Sequence, residues 1–176
     1  GKTMTIGGAI ANGASASAMK INLGSDTGTV VFGGNNTYTG GTTVSAGTLK
    51  AGNTNAFGTS GTITVASGAT LDVAGYSIAR PITLNGGTIL SSTGANGAVT
   101  GGVTLGAANS YFAAANTATL TVGTLAITDG SNTYAVTAGN STNTGTVVFS
   151  VANTYDNGTT VAYGTLQAGN TNAFGT

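Results

Sequence analysis

GTVVFGGNNTYTGGTTVSAGTLKAGNTNAFGT at residues 28–59 returns as GTVVFSVANTYDNGTTVAYGTLQAGNTNAFGT at residues 145–176. The blocks align without a gap, and 24 of their 32 positions are identical. Their offset is 117 residues, so Thr176 falls on the equivalent of Thr59, inside the unit. The preceding segments correspond as well: TMTIGGAIANG at 3–13 matches TLTVGTLAITDG at 119–130 with a one-residue slip. Self-similarity at a fixed long period marks a repetitive, extended architecture. The expectation is one continuous solenoid over residues 1–176, spanning one and a half units of a longer array.

Between the punctuating Gly and Asn residues, the chain alternates with period two. GTVVF at 28–32, TTVSAGTLKAG at 42–52, TITVAS at 62–67, ATLDVAG at 69–75 and ATLTVGTLAIT at 118–128 place Val, Ile and Leu on one face of short strands. Glycine makes up 31 of the 176 residues, a density that opposes helix and suits tight corners. Charged residues are only 5% of the chain, and β-branched residues are abundant, so the segment is not a solvated disordered tail.

These strands suit an all-β fold, a parallel β-solenoid. Its hydrogen bonds run to neighbouring coils, and only a narrow interior needs filling. The rival is an antiparallel sandwich with evenly spaced turns. Thr-Leu or Thr-Ile pairs fall at Thr48, Thr70, Thr88, Thr104 and Thr119, and each step between them is read as about one coil. Six such coils per unit, at ~4.8 Å each, give a unit ~28 Å long and a chain ~40 Å long. Asn36, Asn53 and Asn55, with copies Asn153, Asn170 and Asn172, are candidates for corner ladders.

The blocks at 35–52 and 153–169 resemble the autotransporter-associated β-strand repeat, with its N-T-Y-x-G-G-T-x-V-x-x-G-T-L pattern. Its positions are Asn36, Thr37, Tyr38, Gly41, Thr42, Gly47, Thr48 and Leu49 in the first copy. In the second they are Asn153, Thr154, Tyr155, Gly158, Thr159, Gly164, Thr165 and Leu166. The second copy departs from the pattern at Asn157, which stands where the first has Gly40. The resemblance implies a right-handed parallel β-helix within an exported bacterial surface protein, located extracellularly or on the outer cell surface.

Several chemistries are excluded by composition. Four basic side chains (Lys2, Lys20, Lys50, Arg80) balance four acidic ones (Asp26, Asp72, Asp129, Asp156), and none of the cations cluster. Nucleic acid and anionic membrane surfaces both require clustered cations. No apolar run is long enough for this segment to insert into a membrane as a helix. With no His, Cys or Glu, general acid–base catalysis has almost no candidates. Asp72 and Arg80 could share a face, the one pair a polysaccharide-active β-helix enzyme could use, although a surface ion pair is the plainer reading. No cofactor or metal site is expected.

The aromatic residues Phe32, Tyr38 and Phe57 recur as Phe149, Tyr155 and Phe174, either as core packing or as a carbohydrate-stacking stripe. Tyr163 replaces Ala46 and reads as an exposed, copy-specific contact. The functional expectation is a non-catalytic structural and adhesive segment of a surface fibre or autotransporter passenger. Its partners would be neighbouring repeats, further copies of itself, and host or glycan surfaces. A self-assembling extracellular filament of a biofilm matrix is the alternative.

Overall fold

The computed structural model describes residues 1–24 and 27–175, so Asp26 lies outside the described residues. Among the described residues every element is a strand, and every paired strand runs parallel to its neighbours. The strands form three sheets. The eight-stranded sheet stacks Thr3–Ile6, Thr29–Phe32, Thr48–Ala51, Thr70–Asp72, Thr88–Ser91, Ser110–Ala114, Val136–Ala138 and Thr159–Val161. The six-stranded sheet stacks Met19–Asn22, Thr42–Ala46, Ile63–Val65, Ile82–Asn85, Val103–Ala107 and Ile127–Thr128. The five-stranded sheet stacks Ser77–Ile78, Gly97–Val99, Thr119–Val122, Thr146–Phe149 and Thr165–Ala168. In the later coils the chain visits the eight-, five- and six-stranded sheets in turn. This is a parallel β-solenoid of about seven turns, not a sandwich.

Alternation fills the interior with columns of like residues. Val44, Val65, Leu84 and Leu105 stack in register on the six-stranded sheet, as do Ile63, Ile82, Val103 and Ile127. Leu49, Leu71, Ile89 and Phe112 form the matching column of the eight-stranded sheet. All of these side chains are buried.

The coil length differs from the sequence expectation. Along the eight-stranded sheet the register runs Thr3, Thr29, Thr48, Thr70, Thr88, Tyr111, Thr137, Thr160. The coils are unequal: the shortest runs from Thr70 to Thr88, and the longest run from Thr3 to Thr29 and from Tyr111 to Thr137. Thr48, Thr70 and Thr88 do sit one coil apart. Thr104 and Thr119 lie on the other two sheets, so the steps that reach them cross between faces and do not count coils. A Thr-Leu pair marks any face of the coil, which is why its spacing alone misleads.

The same register shows where the repeat goes. TVVF at Thr29–Phe32 belongs to the eight-stranded sheet, and its copy at Thr146–Phe149 belongs to the five-stranded sheet. Thr42–Ala46 lies in the six-stranded sheet and its copy Thr159–Val161 in the eight-stranded one. Each 117-residue step therefore covers five coils plus one face, and the copies are turned by one face around the axis. At ~4.8 Å per coil the unit rises ~26 Å, and the seven intervals of the eight-stranded sheet rise ~34 Å. The one-residue slip is visible too. Thr3 corresponds to Thr119 by its strand pairing, whereas Ile10 corresponds to Ile127 by its hydrogen bonds, so the second copy gains a residue between them.

Candidate functional site

The repeat motif builds the scaffold from its side chains inward. Asn36 is fully buried, and its amide links three successive coils. Its Oδ1 accepts the Ile10 amide at 2.7 Å, and its Nδ2 donates to the Ala56 carbonyl at 2.6 Å. Asn153 repeats this, accepting from Ile127 at 2.7 Å and donating to Ala173 at 2.5 Å. The other expected ladder asparagines behave differently. Asn55 donates to Asn35 at 3.0 Å, an exposed cross-coil pair that Ala152 cannot form in the second copy. Asn53 and Asn170 accept the amides of Asn55 and Asn172, which closes local turns.

Tyr38 is fully buried, and its hydroxyl meets Thr42 Oγ1 at 2.6 Å; Tyr155 meets Thr159 at 2.5 Å. Gly58 lies beneath the ring at φ +73°, where an added Cβ would collide with the Tyr38 carbonyl oxygen. Gly175 stands in the same relation to Tyr155. The motif glycines Gly41, Gly47, Gly158 and Gly164 all have φ between +73° and +80°, left-handed backbone that explains their fixed spacing. Gly40 has no such φ. A Cβ there would instead strike the Ser17 backbone at 2.5 Å, a constraint set by the neighbouring coil. Leu49 is buried in the core, and Leu166 is partly buried. Thr48 is partly exposed, whereas Thr37, Thr154 and Thr165 face solvent.

Burial holds the Tyr38 phenol above its ordinary 10.0, opposed by the Thr42 hydrogen bond and the Arg80 charge. Burial raises Tyr155 in the same way, opposed by Thr159. Near pH 10 the unfolded chain releases these protons while the folded chain keeps them, so stability falls as pH rises further. The urea midpoint should therefore be flat with respect to these groups up to about pH 9 and decline above it. Tyr38→Phe should flatten that decline. A wild-type midpoint unchanged to about pH 11 would contradict the assignment.

Of the repeated aromatic residues, all but Phe174, which is 40% exposed, are core. Phe32, Phe57, Phe112 and Phe149 are buried, with Phe112 edge-on to Phe149 at 5.3 Å between centroids. Tyr163 is 50% exposed, as expected of a copy-specific surface residue.

The charges correct the sequence reading. Asp72 does not pair with Arg80. Its carboxylate is buried on the eight-stranded sheet, where Lys50 approaches at 3.4 Å and Ser92 donates both its amide and its hydroxyl. Arg80 instead donates to the carbonyls of Thr59 and Gly61 at a corner. Although near one another in the chain, the two residues are carried to different faces of the coil. Among the described residues no three His, Cys, Asp or Glu side chains gather, and no helix is long and apolar enough to cross a membrane.

Outward-facing threonines form the arrangement that sequence reading did not assemble. On the six-stranded sheet Thr43, Thr64, Thr83, Thr104 and Thr128 stand in register on successive coils. On the eight-stranded sheet Thr3, Thr29, Thr48, Thr70 and Thr88 do the same, followed by Tyr111, Thr137 and Thr160. Thr119, Thr146 and Thr165 make a shorter column on the five-stranded sheet. The Thr-Leu and Thr-Ile pairs held this signal, since each pair is one outward hydroxyl beside one inward aliphatic. Hydroxyls thus repeat at ~4.8 Å along the rod.

Fold and surface together define a repetitive parallel β-solenoid that carries columns of hydroxyls outside and aliphatic columns inside. More particularly, the passenger-associated-transport-repeat family model matches the chain twice, at residues 25–51 and 142–168. It is also similar to the adhesin BmaC autotransporter of Brucella suis biovar 1 (strain 1330), with 40% identity over 91 residues. That match covers 51% of this chain and 2% of the relative's length. No solved structure matches the chain.

Proposed function

We propose that this chain is a stiff, non-catalytic segment of an exported bacterial surface passenger, and that its outward threonine columns make the adhesive contact. The observation that carries this reading is the in-register Thr column on a rod built from passenger repeats. Adhesion would come from many weak hydrogen bonds laid along one axis, to a glycan or a host surface. Each such bond contributes about 0.5–1.5 kcal/mol, so affinity depends on how many engage together.

The test is to display the segment on cells and replace Thr43, Thr64, Thr83, Thr104 and Thr128 by valine. Valine keeps shape and strand preference and removes the hydroxyls. Adhesion to a glycan-coated surface should fall about tenfold or more, since about 1.4 kcal/mol is a factor of ten. An unchanged circular dichroism spectrum would show that the coil survives. Undiminished adhesion by the folded variant would remove the column from the adhesive surface.

A filament reading draws on the parallel stacking itself: every paired strand bonds its neighbours in the same direction, so a further copy would continue the same ladder. Open-ended filaments in electron micrographs of the purified chain would favour this reading, and monomeric rods of fixed length would oppose it.

A further inference from the structure

The two copies differ at one corner in a way that the scaffold does not require. In the first copy Asn12 lies one coil beneath Thr39. Asn12 Oδ1 accepts the amides of Ser17 at 2.9 Å and Thr39 at 3.0 Å, and its Nδ2 donates to Thr39 Oγ1 at 2.8 Å. The 117-residue offset puts Asp129 at the position of Asn12 and Asp156 at that of Thr39. One backbone bond that leads into the corner is kept in both copies. Thr37 donates to the Ile10 carbonyl at 2.8 Å, and Thr154 donates to Ile127 at 3.0 Å. That bond sets the exposed Asp156 one coil above the buried Asp129, without the backbone bond that Thr39 makes to Asn12.

The chemistry of the corner has changed. Asp129 Oδ2 accepts the Tyr134 amide at 2.9 Å, as Asn12 Oδ1 accepts that of Ser17. The remaining atom, Asp129 Oδ1, corresponds to the Asn12 nitrogen that reaches the next coil. It is buried without a hydrogen-bond partner, on a residue only 1% exposed. A donor–acceptor pair has become two acceptors. No lysine or arginine follows Arg80, and Asp129 and Asp156 are the only charged side chains in residues 81–176. An unpaired buried carboxylate is expensive, and the charged residue one coil above it is a second aspartate rather than a cation.

We propose that Asp129 and Asp156 hold a calcium ion between adjacent coils of the second copy. Two carboxylates in an all-oxygen corner suit a hard cation, and calcium accepts irregular geometry with backbone carbonyls and water completing its shell. Asn132 adds a further oxygen nearby, because its Nδ2 donates to the Asp129 carbonyl at 3.0 Å and leaves Oδ1 free. With two carboxylates the affinity falls in the extracellular range, Kd about 10⁻⁴–10⁻³ M. The ion would clamp one coil to the next where the first copy uses a neutral hydrogen-bonded pair.

The experiment is a calcium titration of the purified chain by calorimetry, with melting curves in chelator and in about 10 mM calcium. The melting temperature should rise by about 3–5 °C at tenfold excess over Kd. The double variant Asp129→Asn with Asp156→Thr rebuilds the neutral pair of the first copy, so it should fold and show no calcium response. A wild-type melt indifferent to calcium would overturn the proposal. So would a double variant that binds calcium as well as the wild type. Stabilisation by mild acid with no response to calcium would also overturn it, assigning the pair to a shared proton instead.

Discussion

Asn36→Ala is expected to lower the stability of this chain by about 2–4 kcal/mol, because it leaves one buried and one part-buried backbone group without partners. The Asn36 amide accepts from Ile10 and donates to Ala56, so a single side chain joins the coils before and after its own. Alanine offers neither group. Asn36→Asp should also destabilise. It keeps the acceptor for Ile10 but sets a carboxylate oxygen against the Ala56 carbonyl. Asn55→Ala is the control: its cross-coil bond to Asn35 is exposed, and a change within about 0.5 kcal/mol is expected. Urea unfolding of the three variants is the measurement. A loss at Asn36 no larger than at Asn55 would show that the bridge contributes nothing.

Phe112→Ala is expected to cost about 3–5 kcal/mol. The ring is fully buried and packs edge-on against Phe149, reaching across the interior from the eight-stranded sheet to the five-stranded one. In register on either side of it stand Ile89 and Ala138. Ala138 presents only a methyl group beside the Phe112 ring. Collapse around the cavity is opposed because each coil is held at a fixed spacing by its backbone ladder, so the void persists and the full penalty is felt. Phe112→Leu should retain most of the stability. Phe174→Ala, at a ring already 40% exposed, should cost little by comparison. The check is again urea unfolding. A loss below about 1 kcal/mol for Phe112→Ala would mean that the interior repacks freely, against this account.

Much of the scaffold was legible from residue types. Alternation of Val, Ile and Leu with Thr predicted short strands with one buried face, and the inward columns have that composition. The long repeat predicted a stacked architecture. Asn36 and Asn153 were recognisable as corner residues, although they bridge to backbone and not to other asparagines. The partner of Asp72 was not legible. Lys50 reaches it because Thr48–Ala51 and Thr70–Asp72 pair as strands of adjacent coils, and nothing local in the sequence states that pairing. Gly40 illustrates the same limit. Its need for a missing side chain comes from the Ser17 backbone in the coil beneath, and the second copy, which lacks the Gly40–Ser17 backbone bond, carries Asn157 there.

By itself the sequence determined that this chain is all-β, that it repeats every 117 residues, and which side of each strand faces inward. These are properties of residue types and of neighbours along the chain, set by side-chain alternation and by glycines at left-handed corners. Tertiary structure alone decided the length of each coil, which threonines join into one column, and that successive copies turn by one face. It also decided where the charges go: Asp72 meets Lys50 on one face, whereas Arg80 reaches the carbonyls of Thr59 and Gly61 at a corner. The reason is that parallel coils exchange their hydrogen bonds and contacts with chain a full coil away. A residue's environment is then set by the coil above and below it, which no local pattern encodes.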